Sequence, residues 1–245
     1  MTHPLDRPIW SALTTRQADI AERVGDAVRL KPDYGVFAAA ADASERSRTA
    51  LNYLDVGPEG LWCVERDPVE PPPGMLVVHH RAPCVQMVAD HVVAPRPDFA
   101  FERLGAEDAP AMVALARMTE PGPFFAHTPR MGNFIGVKAK DLLIAMAGER
   151  LRPEGYTEVS GVCTHPDFRG RGFAGGLMRI VAARILARGE VPFLHSYAEN
   201  TRAIALYETL GFKLRSTMTL TVLTRQSVDG STIGHGPIGH VIGHG

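Results

Sequence analysis

The sequence predicts an α/β fold in which helices flank a mixed, mostly antiparallel central sheet, with a smaller accessory α/β domain before it. Of the 245 residues, 45% are hydrophobic, which is enough to bury a core. The proline cluster APRPD at 94–98 separates two differently patterned regions, and after it strands and helices follow in an order typical of a mixed sheet. We therefore predict an accessory domain at 1–95, a main domain at 96–225 and a flexible tail at 226–245.

The accessory region is predicted to begin with a helix over Ile9–Arg29. Two strands follow, in the runs GLWCVE (60–65) and GMLVVHHRAPCVQMVAD (74–90), because both are rich in β-branched and bulky apolar residues. The run DPVEPPPG between them is typical of a turn, since Pro and Gly interrupt regular structure.

The main domain is predicted to open with a strand, a helix and an antiparallel hairpin. FAFERL (99–104) has the pattern of a strand, and Ala106–Met118 carries the apolar stripe of a helix. The segment TEPGPFFAHTPRMG that follows is too rich in Pro and Gly to form one element. NFIGVKAK and DLLIAMAG then predict a hairpin, and YTEVSGVCTH (156–165) predicts the next strand.

Two helices and two strands complete the main domain. Phe173–Arg188 has the clearest helical periodicity in the chain, and Gly189 stands where a glycine would end the helix. VPFLHSYA (191–198) predicts a buried strand, and Asn200–Leu210 predicts a short helix closed by a glycine. The alternating run FKLRSTMTLTVL predicts the last strand.

Composition excludes several functional classes. The formal net charge of −1 and the pI of about 6.8 give no general attraction to nucleic acid or to anionic lipid. No apolar run approaches the ~20 residues that a membrane-spanning helix needs, and the N-terminus lacks the pattern of a signal peptide. We therefore expect a cytoplasmic protein with neither a nucleic-acid nor a membrane partner.

The sequence predicts no metal site. The cysteines have no ligand spacing and no even count, so buried thiols are expected rather than a zinc site or disulfides. They are Cys63, Cys84 and Cys163. Three histidines of the tail, His235, His240 and His244, could in principle collect a metal, but their spacing favours a flexible Gly-rich tail.

The run CTHPDFRGRGFAGGLM (163–178) contains two alternative phosphate-binding loops. Gly170, Gly172 and Gly175 satisfy GxGxxG, with Glu199 placed as a ribose-binding acid, which would indicate a dinucleotide fold. Five residues separate the strand from the first glycine, however, and too little chain follows for the remaining strands. The alternative is R-x-x-G-x-A over Arg169–Ala174, which directs backbone N–H groups and a helix N-terminus toward one anion.

VSGVCTHPDFRGRGFAGGLM, followed by NTRAIALYETLGF, resembles the GNAT superfamily of N-acetyltransferases. The resemblance covers about 99–223 and implies a GNAT-type sheet with acetyl coenzyme A as the acyl donor. It implies that the loop holds the pyrophosphate and that the preceding strand pairs with the pantetheine arm, helped by a bulge at Gly161. The implied cofactor-binding residues are Val162, Cys163, Thr164, Arg169, Gly170, Arg171, Gly172, Phe173, Ala174, Gly175 and Asn200.

The resemblance also implies the catalytic residues. Tyr207 corresponds to the tyrosine that protonates the departing thiolate, although it also lies on the apolar stripe of its helix. Glu158 is the nearest match to the glutamate that takes a proton from the amine, with His195 as a second candidate and a structural role as the alternative for both. Asn200 is also placed to cap its helix.

The predicted function is transfer of an acetyl or other acyl group from acetyl coenzyme A to a primary amine, by direct attack in a ternary complex without a metal. Thr119–Asn133, with Phe124, Phe125 and His127, is the predicted acceptor wall and indicates a partly apolar small-molecule or peptide amine. A catalytically silent coenzyme A-binding module and an NAD-binding protein are the alternatives. The sequence leaves open whether the chain forms a homodimer.

Overall fold

The computed structural model describes residues 3–71, 74–93 and 97–226. Contacts divide these residues into two compact units, of which the first holds 3–84, 152–154 and 217–226 and the second holds 85–151 and 155–216. Two long strands pass from one unit into the other along the chain. The units are therefore interleaved in sequence and do not follow a single cut at 95/96, and the domain boundaries given above stay predictions.

The first unit contains a small antiparallel sheet, two short helices and parts of the long strands. The strands β1, β2 and β3 pair in that order, and β4 pairs antiparallel with the last strand, β11. The elements are α1 (Pro8–Leu13), β1 (Ala21–Val24), β2 (Ala27–Leu30), β3 (Ala38–Ala40), α2 (Glu45–Leu51), β4 (Leu61–Glu65), the start of β5 (Leu76–Val88) and the end of β11 (Lys213–Arg225).

The single helix predicted over Ile9–Arg29 is wrong. Helix α1 ends at Leu13, where the Thr14 hydroxyl donates a 2.7 Å hydrogen bond to the Trp10 carbonyl. The rest of the run forms the β1–β2 hairpin, which turns at Gly25 with φ of +55°. Strand β3 and helix α2 were not predicted, because neither is long enough to display a periodic pattern.

The second unit has the mixed, mostly antiparallel sheet that the sequence predicted. Its strand order is β5-β10-β9-β8-β7-β6. The pairs β6–β7, β7–β8 and β8–β9 are antiparallel, and β9 is parallel to β10. The further elements are β6 (Glu102–Leu104), α3 (Ala109–Thr119), β7 (Phe134–Ala139), β8 (Leu142–Glu149), β9 (Tyr156–Thr164), α4 (Phe173–Ala187), β10 (Val191–Tyr197) and α5 (Thr201–Leu210).

Helices cover both faces of this sheet. On one face, α4 and α5 pack in a single core cluster with Met87, Val159 and Leu194 of the central strands. On the other face, α3 packs with Phe134, Met146 and Cys163. Because neighbouring residues of a strand point to opposite faces, these two clusters fix the face to which each side chain of the central strands belongs.

Candidate functional site

The candidate site lies where the two parallel strands of the second unit stop pairing. β9 and β10 are paired over Tyr156–Glu158 and Val191–Phe193. Both strands continue beyond the last pair, β9 to Thr164 and β10 to Tyr197, and no further pair joins them in the part of the chain that the structure describes. The edge of β9 that faces β10 is therefore free of strand pairing beyond Glu158.

β9 is distorted at Gly161, the position where a bulge was expected. Its φ is +61°, and the register with β8 shifts between Met146 and Gly148. An added Cβ would lie 2.8 Å from the Phe134 ring and 3.2 Å from the Phe124 ring, so only glycine fits here. The shift lets Val162 face the α4 layer although it lies three residues after Val159, which faces the same layer.

A cavity of about 890 Å³ opens beside this free edge. Its wall combines the end of β9, the loop and first turns of α4, the end of β10 and the first turns of α5. The lining residues are Val162, Thr164, 168–176, Met178, Arg179, Tyr197, 199–203, Leu206, Tyr207 and Leu210. Eleven of the thirteen predicted site residues are therefore brought together, and Glu158 and Cys163 lie outside the lining.

The loop before α4 provides unpaired backbone donors. Gly170 and Gly172 have φ of +77° and +78°, and a Cβ added at either would meet nothing within 4 Å. Helix α4 has no side-chain cap, and its first internal bond is from the Gly176 N–H to the Gly172 carbonyl. The N–H groups of 173–175 consequently have no partner among the described residues and stand at the positive end of the helix dipole.

The cavity wall is strongly basic. Four arginines line it against a single acid, Glu199; they are Arg169, Arg171, Arg179 and Arg202. The Arg171 guanidinium stacks over the Phe168 ring at 5.0 Å, and the buried Nε of Arg179 has no hydrogen-bond partner within the described residues. Together with the free N–H groups, these donors fit a diphosphate such as that of coenzyme A. Arg179 was missed, although it lies seven residues, or two helical turns, after Gly172.

Tyr207 occupies both of the positions that the sequence allowed. The residue is 8% exposed and belongs to the core cluster, and it also lines the cavity. Burial raises the pKa of Tyr207 to about 12, so the hydroxyl is protonated at neutral pH. The described residues offer this hydroxyl no hydrogen-bond partner. It is a protonated hydroxyl on a residue of the cavity wall.

Asn200 both caps helix α5 and lines the cavity. Its Oδ1 accepts a 3.1 Å hydrogen bond from the Ala203 N–H and caps α5, and the residue lines the cavity.

The end of β9 presents alternate residues to the cavity. Val162 and Thr164 line it, and the Thr164 hydroxyl is buried without a partner among the described residues. Cys163 points to the other face, where it packs in the α3 cluster. Burial raises the pKa of the Cys163 thiol to about 12, which leaves it uncharged and unreactive at neutral pH. The prediction of buried free thiols is confirmed for Cys63, Cys84 and Cys163.

Glu158 lies at the last paired position of β9 and is 1% exposed. Its carboxylate accepts hydrogen bonds from Arg150 at 2.9 and 3.1 Å and from the Leu151 N–H at 3.3 Å, and it lies 2.9 Å from Nδ1 of His195. Burial acts to raise its pKa, but the charge of Arg150 and the hydrogen bonds with His195 and Arg150 outweigh it and lower the pKa of Glu158 to about 2. No signal in the sequence pointed to Arg150 as its partner.

The predicted acceptor wall lies on the α3 face of β9. Phe124 packs edge-on against Phe134 with 5.7 Å between the ring centroids, and it lies over the backbone of Gly161. The neighbouring Phe125 N–H donates a 2.8 Å hydrogen bond to Thr128, which orders this Pro- and Gly-rich segment. None of these residues lines the cavity. The segment therefore approaches the bulge from the opposite face of the strand.

The dinucleotide alternative does not match the sheet. β9, α4 and β10 form one parallel strand–helix–strand unit, but β8, β7 and β6 on the far side of β9 are antiparallel. A doubly wound dinucleotide fold has a mostly parallel sheet. A helical turn at Pro166–Phe168 also separates β9 from the glycine loop.

The described residues contain neither a candidate metal cluster nor a helix that could span a membrane. Within residues 3–71, 74–93 and 97–226, no group of three or more His, Cys, Asp or Glu side chains could hold a metal ion. Over those ranges no helix is long and apolar enough to span a membrane. The three tail histidines considered as metal ligands lie outside the described residues.

Comparison with known proteins agrees with this architecture. The family model described as FR47-like protein matches residues 134–221. The fold resembles two GCN5-related structures at low sequence identity, which is evidence for the fold alone. One, from Kribbella flavida, is 18% identical with a TM-score of 0.56 and covers 87% of this chain and 94% of that one. The other, an N-acetyltransferase-like protein from Streptococcus suis, is 14% identical with a TM-score of 0.58 and covers 89% and 92%.

A further comparison establishes the family. No curated protein sequence matches the chain. A solved structure from Novosphingobium aromaticivorans, described as belonging to the GNAT family of acetyltransferases, is 48% identical, with a TM-score of 0.85. The match covers 92% of this chain and 100% of that one. Since the identity extends over nearly all of both chains, this protein belongs to the GNAT family of acetyltransferases.

Proposed function

We propose that the protein transfers an acetyl group from acetyl coenzyme A to a primary amine by direct attack within a ternary complex. One observation carries the proposal: a row of unpaired N–H donors at the start of α4 and the Tyr207 hydroxyl open into the same cavity. The first feature suits a diphosphate and the second suits a departing thiolate.

In this proposal the loop holds the diphosphate. Gly170 and Gly172 let the backbone approach the phosphate oxygens, and the N–H groups of 173–175 donate to them. Arg169 and Arg171 add positive charge at the same wall.

The pantetheine arm then lies along the unpaired edge of β9. Its two amides are extended, so they can bond to the strand as a neighbouring strand would. Val162 falls between the paired residues Ser160 and Cys163, where the register with β8 shifts. Its N–H is our candidate for the donor that stabilises the oxyanion of the tetrahedral intermediate.

Direct attack follows from the chemistry of the side chains near the thioester. Cys163 lies in sequence between Val162 and Thr164, which line the cavity, but its side chain points to the α3 face. Because the thiol is uncharged at neutral pH, it is a poor nucleophile for forming an acyl-enzyme. The amine therefore attacks the thioester carbonyl itself. As the C–S bond breaks, the Tyr207 hydroxyl donates its proton to the sulfur, and the second proton released by the attacking nitrogen as it becomes an amide restores the hydroxyl.

The acceptor in this proposal is a small-molecule or peptide amine. The near-neutral net charge gives no attraction to nucleic acid, and Phe124 over the bulge favours a partly apolar group beside the reacting nitrogen.

Calorimetric titration with acetyl coenzyme A and with NAD tests the binding step. We expect the wild type to bind only acetyl coenzyme A. A double variant, Arg169→Ala with Gly172→Asp, is expected to weaken binding about 100-fold or more, because it removes a cation and adds a like charge at the diphosphate. Arg103→Ala is the matched control, since it removes the same charge from β6, outside the cavity. Binding of NAD alone would reject the proposal.

A further inference from the structure

A chain of hydrogen bonds crosses the sheet. Arg215 of β11 donates to Oε1 of Gln86 at 2.8 Å, and Nε2 of Gln86 is 3.0 Å from Nε2 of His195. Nδ1 of His195 is 2.9 Å from Glu158, which Arg150 holds from the other side at 2.9 and 3.1 Å. Five polar side chains from five strands or strand ends are thereby joined.

The hydrogen-bond chain is buried and lies on the α3 face of the sheet. Gln86 is fully buried, and the side chains of Glu158 and His195 are 1% and 5% exposed. Their strand neighbours Met87, Val159 and Leu194 all belong to the α4 cluster, so strand alternation places the chain on the opposite face. That is the face from which Phe124 approaches Gly161.

Arg215 and Glu158 determine which atom donates in each hydrogen bond of this chain. Arginine has only donors, so the Gln86 atom facing Arg215 must be the oxygen, and the amide NH₂ must face His195. Nε2 of His195 is then an acceptor. Ionised Glu158 has only acceptors, so Nδ1 of His195 must carry the hydrogen. Every bond is satisfied by one arrangement, in which His195 is neutral with its proton on Nδ1.

We infer that Gln86 and Arg215 are positioning residues that hold His195 as the Nδ1–H tautomer, with its proton directed at Glu158 and its Nε2 lone pair as the proton-accepting atom of the chain. A protonated His195 would direct an N–H at the Gln86 NH₂, and turning that amide would direct the NH₂ at Arg215. Each bond thus determines the next.

The inference deepens the proposed function and rests on it for its chemical role. The acceptor ammonium must lose one proton before its nitrogen lone pair can attack the thioester. That proton passes to Nε2 of His195, directly or through a water molecule, while Gln86 releases its bond. Glu158 then faces the resulting imidazolium across Nδ1–H. Glu158 therefore acts through His195 and does not contact the acceptor.

The tautomer is measured directly by NMR of protein labelled at the histidine nitrogens, with the His195 signals assigned by a His195→Gln variant. We expect a protonated, pyrrole-like Nδ1 and an unprotonated, pyridine-like Nε2. In Gln86→Glu, whose carboxylate accepts from both neighbours, we expect both nitrogens of His195 to be protonated. The opposite tautomer in the wild type, or an unchanged signature in Gln86→Glu, overturns the inference.

Arg215 supplies a second, independent pair of variants. Arg215→Lys keeps a donor-only partner for Gln86 and is expected to keep the Nδ1–H signature. Arg215→Gln can donate or accept, so we expect a mixture of tautomers. A pure Nδ1–H signature in Arg215→Gln would contradict the positioning role, even if Gln86→Glu failed to fold.

Calorimetric titration of the Gln86 and Arg215 variants with acetyl coenzyme A distinguishes failure of the proposed function from failure of the tautomer inference. Neither residue lines the cavity, so the affinity of each variant is expected to equal that of the wild type. If the wild type fails to bind acetyl coenzyme A while the tautomer is as expected, the proposed function fails and the hydrogen-bond assignment stands. If binding holds and the tautomer is wrong, the inference alone fails.

Discussion

Replacing Glu158 by glutamine should destabilise the protein in a way that depends on pH. The carboxylate is buried against Arg150 and His195, and its pKa falls from 4.5 in a model peptide to about 2. Glutamine keeps the shape of the side chain but removes the charge. Arg150 would then be left buried without its counter-ion, which is the costly way to break a buried pair.

The magnitude follows from the pKa difference. Lowering the pKa from 4.5 to about 2 corresponds to about 3 kcal/mol at roughly 1.4 kcal/mol per pKa unit. Because the folded pKa is below the unfolded one, this stabilisation is complete above pH 4.5 and is lost as the pH falls toward 2. Less than half of it, about 1 kcal/mol, should remain at about pH 3.

The assay is urea unfolding of the wild type and Glu158→Gln at neutral pH and at about pH 3, followed by far-UV circular dichroism. Tryptophan fluorescence is unsuitable, because Trp10 and Trp62 are both in the first unit and Glu158 is in the second. Glu208→Gln, an exposed glutamate of α5, is the control and should stay within about 0.5 kcal/mol of the wild type. A difference between wild type and Glu158→Gln that is the same at both pH values would refute the reasoning.

Three further outcomes are expected. Tyr207→Phe should lower turnover about 100-fold or more while calorimetry finds acetyl coenzyme A binding unchanged, and an unaffected rate would leave a binding module as the function. Cys163→Ala should retain turnover and form no trapped acyl-enzyme by mass spectrometry, and a complete loss in a folded variant would argue against direct attack. Gly161→Ala should lower the free energy of unfolding by about 1–3 kcal/mol in urea titration, because φ is +61° and the new Cβ would lie 2.8 Å from Phe134.

Local patterns predicted the site better than they predicted the first unit. Helices α4 and α5 are long enough to show their apolar stripes, and Gly211 ends α5 with φ of +105°. The glycine loop between β9 and α4 is contiguous in sequence, so its geometry could be read from a few residues. The prediction for residues 9–29 failed because four short elements, α1, a 3₁₀ turn, β1 and β2, share a stretch in which each contributes barely one period of its own pattern.

The hydrogen-bond chain could not be predicted, because it depends on strand order. Gln86 and Arg215 are 129 residues apart in sequence, and Gln86 and His195 are 109 apart. Nothing near any of these residues indicates which strand will lie beside which. Glu158 was named from a family resemblance, but its burial and its pairing with Arg150 appear only when β8, β9 and β10 are assembled.

In the proposed reaction, the two faces of β9 serve different partners. Val162 and Thr164 point toward the cavity, whereas Glu158 and Cys163 point toward α3. Without the irregularity at Gly161, strict alternation from Val159 would direct Val162 to the α3 face. The bulge therefore allows a strand that carries Glu158 on its α3 face to present Val162 and Thr164 to the cavity on the other face, where the proposed acyl donor binds.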